Sequence, residues 1–372
     1  MLSWRERFLI ACGPGVLSGI TLRDWIQLLS DNQLAVDSPY LMRAAFISLA
    51  AFLNSPFRWL EDWRYGRKLK EVEVRPPIFV LGHWRSGTTH LHYLLTNDDR
   101  FAWPTFYQVF YPHTFLCTER RFSALQAFLL PQHRAYDNVH QDLSVPCEDE
   151  FAMCVYGFRT HYLSGVFPGN AEYYDQFLSL RDASRNDVEK WKGALEMFLK
   201  KLTLKHQKPL ILKSPGHTGR IKLLLEMFPD AKFIHIHRDP YTVFQSFMHT
   251  YETGLPYGRL QHTNQFDWTA RIIRQYREVY DAFFEQRAMI PAGHFHELGF
   301  EELERDPIGE IRKLYTELGL PEFTQVEPAL RRYVDSQRGY RKNVFAELAP
   351  DLRRRVAEEW RRCFEEWGYP IG

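Results

Sequence analysis

The sequence predicts an α/β fold in which a central, mainly parallel sheet is flanked by helices, with further helices at both ends of the chain. Three short apolar runs support this fold class: IFVLG from Ile78, LILK ending at Lys213, and KFIHIH ending at His237. Each run has proline or glycine nearby, and each precedes a segment with apolar residues at helical spacing. Repeated units of strand, turn and helix are typical of a parallel sheet with helices on its faces.

The composition is that of an ordinary globular protein, with 372 residues, 45% hydrophobic and 25% charged. A formal net charge of +1 gives no global field that would attract nucleic acid, so we expect basic sites to be local and no nucleic-acid partner. The five cysteines include no C-x-x-C pair. This argues against a disulfide framework or a zinc module and favours a cytoplasmic protein without a metal.

Two regions are expected along the chain. Residues 1–70 are predicted to form a helical N-terminal extension packed on the core, and residues 71–372 to form the main domain. The main domain contains an insert at about residues 101–182 that is rich in aromatic residues, prolines and histidines and has weak periodicity. We interpret the insert as a segment around the active site rather than a separate domain.

The N-terminal extension contains apolar stretches, but none approaches the ~20 residues that a membrane span requires. The stretch at 44–53 is predicted to end as a helix at Asn54-Ser55-Pro56. We expect packed or interfacial helices here. Peripheral membrane contact is a hypothesis for this region, with Trp4, Arg5 and Arg7 as anchors.

The turn after the first apolar run, GHWRSGTT at Gly82–Thr89, nearly matches the phosphate loop G-x-x-x-x-G-K-[ST]. Both glycines and the final threonine match, but Thr88 replaces the lysine. The turn and the helix start still offer backbone N–H groups to an anion, and Ser86 is expected to cap the helix. Arg85 adds a guanidinium suited to phosphate or sulfate oxygens. The loop therefore predicts an anion site that is not equipped for a magnesium-bound triphosphate.

Two further motifs end at the same predicted sheet edge. KSPGHTGRI places Lys213 at the end of the second strand, and HIHRDPYTVFQS places Arg238 after the third, with Ser246 about two helical turns later. An arginine and a hydroxyl in this arrangement suit a second phosphate group. Two separated anion sites on one edge predict a ligand that carries phosphates at both ends of a ribose.

Together these motifs resemble those of the sulfotransferases that use 3′-phosphoadenylyl sulfate (PAPS), in the bacterial branch related to protein-tyrosine and carbohydrate sulfotransferases. GHWRSGTTHLHYLL resembles the family's 5′-phosphosulfate loop, and FIHIHRDPYTVFQSF resembles its 3′-phosphate motif. FEELERDPIGEIRKLYTELGL is similar to the helical part that follows. The resemblance covers roughly residues 76–96 and 205–372 and implies a P-loop-like three-layer fold.

The resemblance also implies roles for individual residues. The loop from Arg85 would hold the 5′-phosphosulfate, Arg238 and Ser246 would hold the 3′-phosphate, and RGYRKNVF would close over the donor. Arg85 and Lys213 are expected to stabilise the leaving group. The residues implied to bind the donor are Arg85, Ser86, Gly87, Thr88, Thr89, Arg238, Ser246, Tyr340, Arg341, Lys342 and Asn343.

The general base is predicted from three candidates. Protein-tyrosine members of the family place a glutamate downstream of the loop arginine, but WPTFYQVFYPHTF holds no carboxylate. His113 is one substitute, because an imidazole titrates near neutral pH. VPCEDEFAM contains three adjacent acids, Glu148, Asp149 and Glu150. If the segment continues regularly, one of them must point inward, where burial would raise its pKa. We favour Glu148 or Glu150 over His113; a solvated acidic turn is the alternative.

We therefore expect a cytoplasmic enzyme that moves a sulfuryl group from PAPS to a hydroxyl of a small-molecule acceptor. The aromatic insert and the apolar N-terminal helices favour a lipid-like acceptor over a carbohydrate, and both choices stay open. One alternative is a kinase-like nucleotide-binding P-loop protein, which the missing loop lysine disfavours. Another is a non-catalytic binding module, which the set of Arg85, Lys213, Arg238 and Ser246 disfavours.

Overall fold

The computed structural model describes residues 11–129, 143–254, 258–263, 267–337, 339, 343 and 345–371. The chain forms two compact units. The helical unit consists of Met1–Val74, Pro104–Gln207 and Glu252–Phe266, and the sheet unit consists of Arg75–Trp103, Lys208–Tyr251 and Asp267–Gly372. The N-terminal extension and most of the insert therefore belong to one unit, although the first strand and its loop separate them in the chain.

Four parallel strands form the centre of the sheet unit, in the order β2-β1-β3-β4. They are β1 (Ile78–Leu81), β2 (Ile211–Lys213), β3 (Lys232–His237) and β4 (Phe295–Gly299). The first three lie at the predicted apolar runs, and the α/β fold with a parallel sheet is confirmed. We did not predict β4, because FHELG is short, contains polar residues and lies in a largely helical region.

Helices form most of the remaining chain. Their bounds are α1 (Leu22–Asp31), α2 (Leu41–Glu71), α3 (Thr88–Leu95), α4 (Phe106–Phe110), α5 (Phe115–Leu129), α6 (Glu150–Met153), α7 (Leu163–Val166), α8 (Ala171–Asp175), α9 (Arg185–His206), α10 (Ile221–Met227), α11 (Pro240–Gly254), α12 (Trp268–Gln286), α13 (Phe300–Arg305), α14 (Pro307–Glu317), α15 (Phe323–Ser336), α16 (Pro350–Glu359) and α17 (Arg361–Trp367). Short 3-10 helices lie at Gly15–Leu17, Ser38–Tyr40, Pro168–Asn170, Pro215–Gly219 and Arg287–Met289. The predicted helical additions are present at both ends of the described chain.

The sheet is buried on both faces, as its apolar strands predict. Successive side chains of a strand point to opposite faces. Val80 and Ile234 belong to an apolar cluster that includes Leu91 of α3 and Leu314 of α14. On the other face, the ring of Phe79 stacks on that of Phe233 at 5.6 Å, and the ring of His235 stacks on Phe283 of α12 at 4.2 Å. The carboxyl ends of the strands are thereby fixed between two helical layers.

A buried ion pair joins the N-terminal extension to α9 within the helical unit, and both of its members also bond the insert. Helix α2 packs against α1, α5 and α9. Lys201 of α9 donates to Glu61 of α2 at 2.6 Å and to the Pro112 carbonyl at 2.9 Å. Glu61 also accepts from the Cys117 backbone N–H at 3.0 Å. Burial raises the pKa of the Glu61 carboxyl, and the nearby ammonium of Lys201 opposes this shift.

The predicted end of a helix at Asn54-Ser55-Pro56 is wrong, because α2 continues through Pro56 to Glu71. Proline lacks the N–H that would bond the carbonyl four residues earlier, here that of Phe52. Both residues lie on the exposed side of the helix, where water can solvate that carbonyl. Trp4, Arg5 and Arg7 lie outside the described residues. Within those residues, we find no helix that is both long and apolar enough to cross a bilayer.

Candidate active site

The turn between β1 and α3 requires glycine at two positions. Gly82 has a φ of 140°, and an added Cβ would lie 2.5 Å from the Ile236 carbonyl oxygen. Gly87 has a φ of 100°, and an added Cβ would lie 2.3 Å from the ring of Phe300. These conformations are strained for any other residue. The glycine spacing noted in the sequence thus has a direct steric cause.

Helix α3 begins at Thr88, with Gly87 as its N-cap. The prediction that Ser86 caps this helix is wrong: its hydroxyl donates instead to the His83 carbonyl at 2.8 Å. The left-handed Gly87 intervenes between Ser86 and the helix and takes the cap position. Because the first N–H groups of a helix have no intrahelical acceptor, Thr88 and Thr89 lie at backbone donors that suit an anion.

Three residues predicted to bind the donor meet at Arg85. This residue has a φ of 70°, and its Nε donates to the Ser246 hydroxyl at 2.8 Å. A terminal nitrogen of Arg238 lies 3.4 Å from the Arg85 carbonyl oxygen. The guanidinium of Arg238 also lies over the Phe300 ring, 4.2 Å from its centre. The structure therefore brings the loop after β1 and the motif after β3 into direct contact.

The sheet order explains why these two loops meet. The chain leaves β1 towards β2 on one side, then returns past β1 to β3 and continues to β4 on the other side. In open parallel sheets, ligands bind at the carboxyl ends of strands where the strand order reverses in this way. Arg85 and Arg238 follow the two strands that flank this point.

A third cation lies beside the start of α3. Lys213 ends β2, is buried, and places its ammonium 3.4 Å from the Thr89 hydroxyl. The sheet edge thus carries Arg85, Lys213 and Arg238 around the same helix start. Burial lowers the pKa of the Arg238 guanidinium, and the carboxylate of Glu301 opposes this shift. An arginine nevertheless stays protonated, so the edge is cationic.

The loop that the family resemblance assigns to donor closure falls largely outside the described residues. Tyr340, Arg341 and Lys342 are outside them. Asn343 is described and is exposed to solvent. Their contribution to donor binding stays a prediction.

All three candidates for the base lie in the helical unit. His113 is buried, and its Nε2 lies 3.2 Å from a carboxylate oxygen of Asp24 on α1. Burial lowers the pKa of His113 to about 4, although Asp24 favours the protonated ring. The imidazole of His113 is therefore neutral at neutral pH, and its Nε2 already contacts Asp24 of α1.

The two glutamates differ in exposure. Glu148 is half-buried and accepts a hydrogen bond from the phenol of Tyr162. Glu150 is buried and lies 3.9 Å from Nδ1 of His161. The sequence argument required one acid to point inward, and Glu150 does so together with Asp149. Glu148 is the acid that keeps access to solvent.

Two residues of the site were missed by the sequence analysis. Thr218, in the turn after β2, accepts from the backbone N–H of Gly82 at 2.7 Å and so fixes the start of the loop. Its position in KSPGHTGRI, at the same sheet edge, was the available signal. Phe300 contacts Arg238 and Gly87. It is the first residue of FEELERDPIGEIRKLYTELGL, which resembles the helical part of the family, but that resemblance gave it no role at the site.

The fold and the glycine-rich turn that opens α3 define a P-loop-like α/β protein. A family model described as "Sulfotransferase family" matches residues 76–325, which include the sheet and both loops. The chain belongs to the sulfotransferase family.

Curated relatives align along almost the whole chain. It is 37% identical over 352 residues to the omega-hydroxy-beta-dihydromenaquinone-9 sulfotransferase Stf3 of Mycobacterium bovis, covering 94% of this chain and 90% of the relative. The protein of the same name from Mycobacterium tuberculosis gives the same values.

Solved structures show the same fold. The sulfotransferase STF9 from Mycobacterium avium superimposes with a TM-score of 0.72 at 21% identity, covering 94% of this chain and 96% of that one. STF1 from Mycobacterium tuberculosis H37Rv superimposes with a TM-score of 0.66 at 18% identity, covering 91% of each chain.

Proposed function

We propose that this sulfotransferase uses PAPS as its donor and transfers the sulfuryl group to a hydroxyl of a lipid-like acceptor. The observation that carries the donor assignment is the contact of Arg85 with both Ser246 and Arg238. This contact brings together the loop after β1, which suits one anionic group, and the motif after β3, which suits a second anionic group. A nucleotide with a phosphosulfate at one end of its ribose and a phosphate at the other has two such groups.

The residues around this contact fit the two ends of that donor. The backbone at the start of α3, together with Arg85 and Lys213, would hold the 5′-phosphosulfate. Arg238 and Ser246 would hold the 3′-phosphate. Thr88 in place of the usual lysine is consistent with this donor, because a sulfated monophosphate has no outer phosphates for that lysine to reach.

The proposed reaction is an in-line substitution at sulfur. The acceptor oxygen forms a bond to sulfur while the bond between sulfur and the phosphate oxygen breaks, and 3′,5′-ADP leaves with the bonding electron pair. A base takes the proton of the acceptor hydroxyl. Negative charge grows on the leaving phosphate, where Arg85 and Lys213 stabilise it. By analogy with phosphoryl transfer, positioning and electrostatics supply most of the catalysis.

The acceptor class rests on the relatives. Stf3, as its name states, acts on an omega-hydroxylated dihydromenaquinone, and the alignment covers 94% of this chain and 90% of Stf3. An isoprenoid quinone carrying a hydroxyl is therefore the acceptor that we propose to test first. A carbohydrate acceptor, which the aromatic residues of the insert would also suit, is the second compound class for the same assay.

Glu148→Gln is expected to lower turnover by about 100-fold or more, because the amide cannot accept the acceptor proton. We choose Glu148 over Glu150 and His113 since it is half-buried, whereas Glu150 is buried and His113 is neutral and held by Asp24. The measurement is sulfate transfer from labelled PAPS to a hydroxylated isoprenoid quinone in detergent.

Binding of 3′,5′-ADP separates failure of the base from failure of the donor site. Glu148→Gln should bind 3′,5′-ADP as the wild type does, and Glu150→Gln is the matched control for a neighbouring acid. Normal turnover of Glu148→Gln would remove it as the base. Transfer to a carbohydrate but not to the quinone would overturn the acceptor class and leave the donor assignment intact.

Arg238→Ala is expected to weaken 3′,5′-ADP binding by ~1.5–3 kcal/mol, the range for a hydrogen bond to a charged group. Isothermal titration calorimetry measures this change. Arg354→Ala, at an exposed arginine paired with Asp351, is the control and should bind as the wild type does. Unchanged affinity of Arg238→Ala would refute its assignment to the 3′-phosphate. A larger rise in melting temperature with Mg-ATP than with 3′,5′-ADP would favour the kinase-like alternative.

A further inference from the structure

Helix α2 presents a continuous apolar surface to solvent. With about 3.6 residues per turn, its apolar side chains from Leu41 to Trp63 fall along one side of the helix. We call this surface the α2 stripe; it consists of Leu41, Met42, Ala45, Leu49, Phe52, Leu53, Pro56, Trp59, Leu60 and Trp63, all exposed. The large members are well exposed, with 71% for Met42, 61% for Phe52, 74% for Trp59 and 82% for Trp63. Contiguous apolar surface of this kind marks an interaction site.

Helix α2 buries Ile47, Ala51 and Leu69 in the usual way, but it departs from a helix packed on a core in water because much of its outer side is apolar instead of charged or polar. Its buried positions include Arg43 and Glu61. Arg43 donates to the Arg259 carbonyl, and Glu61 pairs with Lys201. These two charged side chains are therefore satisfied within the helical unit, while the α2 stripe faces outward. An exposed apolar face of this kind suits a surrounding that is less polar than water.

Length and charge indicate which surrounding this is. The stripe from Leu41 to Trp63 extends ~33 Å at 1.5 Å per residue. The same side of the helix continues with exposed Arg67 and Lys70, and Arg64 is exposed beside them. An apolar face with tryptophans, followed by basic residues, is typical of helices that lie in the interface of a membrane. The basic end is complementary to anionic lipid headgroups.

We propose that the α2 stripe docks the protein on the surface of a lipid bilayer. The stripe would lie at the boundary between headgroups and acyl chains, with Trp59 and Trp63 inserted and Arg67 and Lys70 against anionic headgroups. The helix would lie in the plane of the surface. This inference does not depend on the donor, the base or the acceptor proposed above, because it concerns residues outside that machinery.

Co-sedimentation of the full-length protein with lipid vesicles tests this proposal. We expect binding to phosphatidylcholine vesicles, stronger binding when phosphatidylglycerol is included, and loss of that difference at high salt. The variant Phe52→Ser/Trp59→Ser/Trp63→Ser should lower the partition coefficient by about tenfold or more, since it removes the most exposed apolar surface. The control Met197→Ser/Met289→Ser, at exposed methionines outside the stripe, should bind as the wild type does.

A second measurement is the quenching of tryptophan fluorescence by brominated lipids, in a variant that should still bind vesicles. Trp59→Phe/Trp63→Phe should keep vesicle binding but lose much of the fluorescence quenching by brominated lipids that the wild type shows. Arg67→Glu/Lys70→Glu should abolish the preference for phosphatidylglycerol. Equal vesicle binding by the serine variant and the wild type would overturn the proposal. So would a wild-type dimer that does not bind vesicles and that the serine variant converts to a monomer, because the stripe would then cover a second copy of the chain.

Discussion

Arg85→Ala is expected to lower kcat by about two to three orders of magnitude, the effect of removing one group that stabilises charge in a transition state. The guanidinium lies where the loop after β1 meets Ser246 and Arg238. It is half-buried and donates to the hydroxyl of Ser246, which is buried. Removing it should lower the free energy of unfolding by about 1–3 kcal/mol, the range for leaving one buried polar group without its partner, so the variant should stay folded. Steady-state kinetics with PAPS, alongside the melting temperature, measures both effects.

Arg85→Lys distinguishes geometry from charge at this position. A lysine keeps the positive charge but lacks the planar fork that can contact Ser246 and an anion together, so we expect most of the loss in kcat to persist. Ser246→Ala should weaken donor binding with a smaller effect on kcat. A normal rate for Arg85→Ala would exclude Arg85 from the reaction and would leave Lys213 as the cation beside the 5′ group.

Lys201→Met is expected to lower the free energy of unfolding by about 3–5 kcal/mol, because it leaves a buried carboxylate without its partner. Glu61 and Lys201 are both almost fully buried and lie 2.6 Å apart. The loss therefore exceeds that of an exposed pair by several kcal/mol. Urea unfolding followed by circular dichroism gives the free energy.

The neighbouring Lys200 supplies the control. It pairs with Glu196 one turn away on the outer side of α9, and such a surface pair contributes about 0–1 kcal/mol. Lys200→Met should therefore change the unfolding free energy little. Lys201→Met/Glu61→Leu should recover much of the loss, since it removes the unpaired charge. If Lys201→Met matched Lys200→Met, the buried pair would not stabilise the helical unit.

The sheet and the cation cluster were predictable because both depend on local patterns. Apolar runs bounded by proline and glycine predicted β1, β2 and β3, and parallel strands bring their carboxyl ends to one edge. From this property of parallel sheets we predicted that Arg85, Lys213 and Arg238 would lie at the same edge of the sheet. The glycine spacing predicted the turn, since Gly82 and Gly87 both have positive φ.

The remaining features depend on contacts between distant parts of the chain. The exposure of α2 beyond Pro56 reflects which side of the helix packs on α1, α5 and α9, and a linear pattern does not specify that side. The pairing of Glu61 with Lys201 joins residues 140 positions apart. Phe300 reaches Arg238 and Gly87 only because β4 completes the sheet beside β3.

The helical unit is assembled from three separated stretches of chain, and this arrangement affects the order of events during synthesis. Helix α2 leaves the ribosome before α9 has been translated. Until then, Glu61 has no Lys201 to pair with, and its carboxyl group is exposed to water or covered by a chaperone. Contacts between residues so far apart in the chain slow folding and prolong the exposure of apolar, aggregation-prone surface. The nascent chain therefore exposes the apolar side of α2 without the Glu61–Lys201 pair while the 140 residues from one partner to the other are translated.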